Sequence, residues 1–294
     1  LLTIGDSGFE PRLASRWRWS AASLQLTVEF NPDARWHDGT PVTSADYAFA
    51  LRLVRAPELG SNIAPDVSGI DSITTPDART AVVHFARRDA EQFFAASLLV
   101  PLPKHLLDTI PVANLRTHPA ARAPVGNGQF RFVAWEPDVR IEIQAVDDHY
   151  RGRPTIDRVI FAKSADPASG VARVWAAETD LWEPLTPDQL AEAAQHPHVR
   201  VATGPGYDYG FLAFNFHAAG SDAPHPLFAD RALRRALTAG IDRDAIRRTL
   251  FDTLAATGLG PFVRAQVTAD TTVRQIAFDR AAANAALDSL GWRA

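Results

Sequence analysis

Trp36, His37 and Asp38 stand side by side in the stretch WHDGTPVTSAD, residues 36 to 46. An imidazole next to a carboxylate is the pairing that general acid–base chemistry uses. A hydrolase built on it would need a nucleophile within hydrogen-bond reach of His37. No G-x-S-x-G elbow occurs and the chain has no cysteine, so none is apparent. Asp38-Gly39 is also a common turn dipeptide, and a turn explains the pair without catalysis.

The remaining histidines do no better as ligands. His196 and His198 flank Pro197, so they cannot share one helix face at i, i+4. There is no H-E-x-x-H, no Walker loop and no G-x-G-x-x-G, and no metal or cofactor is expected. The six arginines between positions 231 and 248 could form an anion patch. Asp230, Asp242 and Asp244 lie among them, and solvated helix faces are the expected outcome.

A different chemistry is offered by YDYGFLAFNF, residues 207–216. Its alternating aromatics predict a strand with one ring set in a core and the other facing a cleft. Rings with a few convergent polar groups are typical of ligand pockets. The ligand-binding candidates are Tyr207, Tyr209, Phe211, Asn215 and His217.

Composition limits what could position these residues. A chain of 294 residues with 46% hydrophobic and 22% charged residues is a soluble globular protein of about two domains. A net charge of −4 argues against a nucleic-acid partner. With no cysteine there can be no disulfide framework. The longest apolar run, FFAASLLVPLP (93–103), is too short to span a bilayer.

The pattern along the chain is mixed α/β. LQLTVEF (24–30) alternates as a half-buried strand. Thr43 with Asp46 three residues later predicts a capped helix over roughly 44–55. Residues 69–87 predict two strands around a Pro-Asp turn, and 89–99 a helix. Pro103 suits the first position of a short helix. A hairpin is expected over 129–146 and a strand over 156–162. Helices are expected over 166–179, 186–195, on either side of Gly240 within 228–251, and over 279–290 before Gly291. HVRVA (198–202) is expected to be extended. The regular βαβ alternation of a doubly wound sheet is missing.

Taken in order, several stretches resemble the family 5 extracellular solute-binding proteins, the peptide- and nickel-binding receptors of ABC importers. PRLASRWRWS (11–20), ARWHDGTPVTSADYAFALRLV (34–54), VPLPKHLL (100–107), PVGNGQFRFVAWEPD (124–138) and DDHYRGRPTIDRVIF (147–161) carry the first half of the likeness. AAETDL (176–181), FLAFNF (211–216), FADRALRRALTAGIDRDAI (228–246) and AFDRAAANAALDSLGW (277–292) carry the second. GNG (126–128) stands where the family commonly has Gly-Thr-Gly, and DDHY where Asn-Pro-x-Tyr is usual.

The resemblance implies a bilobed periplasmic-binding-protein-like α/β fold of the large class with an extra domain, here truncated at both ends. Residues 1–122 would be mainly the extra domain with an edge of lobe 1. Residues 123–212 would be lobe 1, and 213–294 the incomplete start of lobe 2. It implies a non-enzymatic, monomeric receptor in the periplasm or outside the cell, capturing oligopeptides or a similar small solute for a permease. A membrane link would come only through an anchor, such as a lipid, outside this sequence. Two alternatives stay open on the residues alone: the ligand-sensing domain of a transcription regulator, and a hydrolase using His37 and Asp38.

Overall fold

The computed structural model describes residues 2–5, 8–204, 206–266 and 268–292. The chain divides into two compact units, Leu1–Lys163 and Ser164–Ala294.

In the first unit the alternating stretch near residue 24 becomes strand β4 (Gln25–Phe30), flanked by β3 (Ala14–Trp19) and β6 (Thr80–Phe85). With β5 (Ile70–Asp77) these form an antiparallel sheet of order β3-β4-β6-β5. The alternation decides the faces: Leu26, Val28 and Phe30 of β4 are buried. The pairing Leu26↔Val83 and Val28↔Ala81 puts the inward residues of β6 beside them. Ahead of this sheet, β1 (Leu2–Gly5) and β2 (Gly8–Pro11) form a separate antiparallel pair.

Helix α1 (Ser44–Val54) covers the sheet with Tyr47, Ala50, Leu51 and Val54, the spacing of one helical face. The Tyr47 ring meets Phe30 edge-on at 5.9 Å. Its hydroxyl donates to the Ala96 carbonyl of α2 (Gln92–Leu98) at 2.7 Å. Burial pushes the Tyr47 hydroxyl pKa far above its ordinary value, so it stays a neutral donor. A short helix α3 (Lys104–Leu107) follows, with Pro103 at its N-cap rather than at the first helical position. The expected hairpin forms as β7 (Phe130–Glu136) and β8 (Arg140–Ala145), and β9 (Arg158–Ala162) extends it into a second antiparallel sheet.

The second unit carries helices α4 (Pro167–Trp175), α5 (Pro187–Ala193), α6 (Arg231–Ala239), α7 (Arg243–Phe251) and α8 (Arg280–Ser289). Asp166, Thr186, Asp230, Asp242 and Asp279 cap them, each accepting a backbone N–H in the first turn. The break near Gly240 and the left-handed Gly291 (φ +84°) behind α8 are as the sequence predicts.

Two expectations fail. Residues 207–216 form no strand, and neither do 198–202. Alternation only fits a segment to a pleat; a strand also needs a neighbour to take up its N–H and C=O groups. Among the described residues of this unit no ladder partner is present.

Candidate functional site

The aromatic stretch is unpaired, and most of its rings are exposed. Tyr207 is 68% exposed, Tyr209 48% and Phe211 75%. Tyr209 and Phe211 lean on one another at 5.6 Å between ring centroids. At the end of the stretch a tight loop forms. Asn215 Oδ1 accepts from the His217 N–H at 3.3 Å. The His217 ring nitrogen Nδ1 pairs with the Asp222 carbonyl at 3.0 Å, and His217 bridges to Pro224.

Phe214 packs on Phe228, and the Arg234 guanidinium sits 4.4 Å over the Phe216 ring. Tyr207, Tyr209 and Phe211 thus form one open apolar run, while Asn215 and His217 are committed to the loop beside it. The three named rings, which alternate along the stretch, are all exposed, whereas of the other set Phe214 is half-buried and Phe216 is exposed.

Of the six arginines between 231 and 248, Arg234, Arg243 and Arg247 are engaged by neighbouring groups. Arg234 also donates to the carbonyls of Phe228 and Ala229. Arg243 reaches Gln275 at 3.0 Å, and Arg247 donates to the Asp252 carbonyl at 2.6 Å.

Trp36, His37 and Asp38 prove to be structural. The His37 Nδ1 accepts from the Gly126 N–H at 3.3 Å, which leaves the proton on Nε2, 2.9 Å from the Gly128 carbonyl. The His37 N–H itself donates to the Gly126 carbonyl at 2.8 Å. Both ring nitrogens of His37 are thus engaged by backbone groups of the 126–128 loop. A Cβ added to Gly126 would lie 3.1 Å from the His37 ring, so any larger residue would require the imidazole to give by a few tenths of an ångström.

Asp38 pairs with His105 at 2.7 Å and accepts the Thr40 N–H at 3.0 Å. Partial burial works to raise its pKa, but the bonds from His105 and Thr40 outweigh that and hold it below the usual carboxylate value.

The buried Asp46 gathers most of the region. Its Oδ2 accepts from the Thr43 N–H at 2.8 Å and the Thr43 hydroxyl at 3.0 Å, with the Trp36 indole N–H at 3.4 Å. Its Oδ1 accepts the Lys104 N–H at 2.9 Å. One carboxylate therefore ties the turn, the start of α1 and the start of α3 together.

The Gly-Asn-Gly loop (126–128) is held from a second side by His149, whose Nε2 lies 3.2 Å from the Asn127 carbonyl. The same ring accepts the Arg151 N–H on Nδ1 at 3.2 Å, so it too is bonded as a neutral imidazole. Desolvation is the main cause that lowers its pKa. The sequence gives no local signal for these contacts, because His37 and Gly126 lie 89 residues apart.

Known proteins are similar to this chain throughout. The family described as bacterial extracellular solute-binding proteins, family 5 Middle, matches residues 8–294. A Brucella ovis protein described as an ABC transporter peptide-binding protein is 29% identical over 270 residues, covering 91% of this chain and 50% of that protein. The oligopeptide-binding protein AppA of Bacillus subtilis, solved with a nonapeptide, superposes with a TM-score of 0.84 at 20% identity, over 100% of this chain and 58% of that one. NikZ of Campylobacter jejuni, solved with Ni(L-His), superposes with a TM-score of 0.78 at 22% identity, over 99% of this chain and 56% of that one.

The fold is therefore the mixed helix-and-sheet architecture of periplasmic binding proteins. More narrowly, the chain belongs to the bacterial extracellular solute-binding proteins of family 5. It spans about half the length of the curated relatives it matches. Its family and relatives are binding proteins of transporters, and no helix here is long and apolar enough to cross a membrane.

Proposed function

We propose that this chain is part of an extracytoplasmic receptor that captures an oligopeptide or similar small solute between two lobes and hands it to an ABC permease. The family match over residues 8–294 carries this reading, and the peptide-binding relatives narrow it to peptides. The receptor acts as a non-enzymatic monomer in the periplasm or outside the cell, held to the membrane, if at all, by a lipid anchor outside this sequence. Residues 1–122 are assigned mainly to the extra domain, 123–212 to lobe 1 and 213–294 to the start of lobe 2.

Tyr207, Tyr209, Phe211, Asn215 and His217 are the proposed ligand contacts. The exposure of the three rings supports the proposal, since aromatic faces left in water are typical of interaction surfaces. Tyrosine offers an apolar ring and a polar tip for a peptide's mixed surface. The turn at Asn215 fixes the backbone where the stretch ends.

The test is thermal unfolding of the chain with and without di- to nonapeptides. A ligand at about one hundred times its Kd stabilises by about 2.7 kcal/mol. Alanine at Tyr207, Tyr209 or Asn215 is expected to shrink that ligand-induced shift while leaving the ligand-free midpoint unchanged. If none of the three alters the shift, these residues are not the contacts. If no peptide stabilises the chain, the peptide reading fails.

A further inference from the structure

The first unit holds a second apolar cluster apart from its main core, centred on Phe49, Leu53 and Leu115. Leu53 belongs to α1, and Leu115 follows a 3-10 turn over Val112–Asn114. Unlike the main core, this cluster does not close on itself. An open cavity of about 340 Å³ lies against it, floored by Leu53, Leu59, Leu102 and Leu115 and walled by Leu106 and Leu107. Ala121 and Pro124 lie at its exposed rim. Interiors normally pack without gaps larger than a water molecule. A hollow of this size, lined by carbon, is within the range of small-ligand pockets, about 300–1,000 Å³.

Arg116 is the one lining residue with a polar side chain. Its residue is exposed, and no carboxylate of the described residues forms an ion pair with it. A side chain of fixed charge therefore stands beside an apolar hollow with its guanidinium uncommitted.

That combination selects among ligands. A peptide would bring several backbone N–H and C=O groups into a lining with nothing to satisfy them, and each would cost free energy on burial. A polyanion would find a single cation. An apolar chain ending in one carboxylate satisfies both parts: the chain fills the hollow and the carboxylate meets Arg116 in a charge-assisted pair.

We propose that this cavity is a binding site for a medium-chain aliphatic carboxylate, seated with its chain against Leu53, Leu107 and Leu115 and its head group on Arg116. The site lies wholly within the first unit and shares no residue with the 207–217 stretch.

The experiment is isothermal titration of the 294-residue chain with decanoate, and with decanol, below the concentration at which either aggregates. Saturable decanoate binding with one site per chain is expected. Arg116→Ala should weaken decanoate about tenfold, the loss of about 1.4 kcal/mol, and leave decanol binding unchanged. Ala121→Trp, at the exposed rim, should fill the mouth and abolish binding of both without changing the circular dichroism spectrum. No saturable decanoate binding by the unsubstituted chain overturns the proposal. So does decanoate binding that survives Ala121→Trp, or an equal loss of decanoate and decanol in Arg116→Ala.

Discussion

The two units are built from similar proportions of apolar sequence but bury it very differently. In the first, some twenty residues from four strands, two helices and the turns between them close into one core, with Val67, Ile70, Ala81 and Val83 fully inaccessible. In the second, Val171, Ala193, Leu233, Ala236 and Ala283 are the buried apolar residues among those described. Leu212, Ile246, Leu250, Phe251, Phe262 and Phe278 all stay exposed there. Its helices are well capped, so local sequence is not at fault. Capping fixes where a helix starts, whereas burial needs a second layer to cover the apolar stripe.

The largest effect should come from the first unit's core. Tyr47→Ala removes a ring that is fully buried and leaves the Ala96 carbonyl without its donor. A cost of about 4 kcal/mol is expected in urea unfolding. Hydrogen exchange should then rise in β4 and β6 while α6 and α8 keep their rates. Equal acceleration in α6 and α8 would break the distinction between the units.

A smaller loss, about 3 kcal/mol, is expected for Asp46→Ala, which leaves the Thr43 and Lys104 N–H groups and the Trp36 indole without their acceptor. The measurement is again the urea midpoint. A change under 1 kcal/mol would show that water replaces the carboxylate and that α1 and α3 are held by packing alone.

The smallest effect follows pH. His149 has its pKa lowered in the folded state, so the unfolded chain binds more protons at mildly acidic pH. Its contribution is intact above about pH 6.5, the unperturbed histidine value, and is lost as pH falls through the lowered folded value. Thermal midpoints between pH 7.5 and 5 should fall for the first unit's transition, and His149→Gln should flatten that slope. An unchanged slope would remove the histidine from the pH response. Asp38, also lowered, contributes in the same direction, but only further into acid.

Much of the fold could be read in the sequence where a local rule sufficed. The alternation of residues 24–30 gave β4 and its inward face, and Thr43 with Asp46 marked the start of α1 to the residue. The same alternation misled at 207–216, because pairing depends on a neighbour that period and propensity do not supply. At the candidate site, sequence picked out the aromatic run but not its lack of a pairing partner. It also drew His37 as a suspect, and the answer lay with Gly126 and Gly128, too far along the chain for any spacing rule to reach. Arg116 and its cavity have no pattern at all, since their lining comes from α1, α3 and separate short turns.

Asp46 has a consequence in time as well as in space. Its partner Thr43 is three residues away, and that contact can close as fast as a helix turn forms, on the order of a microsecond or less. Its other partner, Lys104, lies 58 residues on, and the loop between must first collapse, at an entropic cost that grows with the logarithm of its length. The carboxylate is thus shared between an early event and a late one. It starts a helix before the sheet beneath that helix is complete, and its second oxygen waits for α3 to arrive.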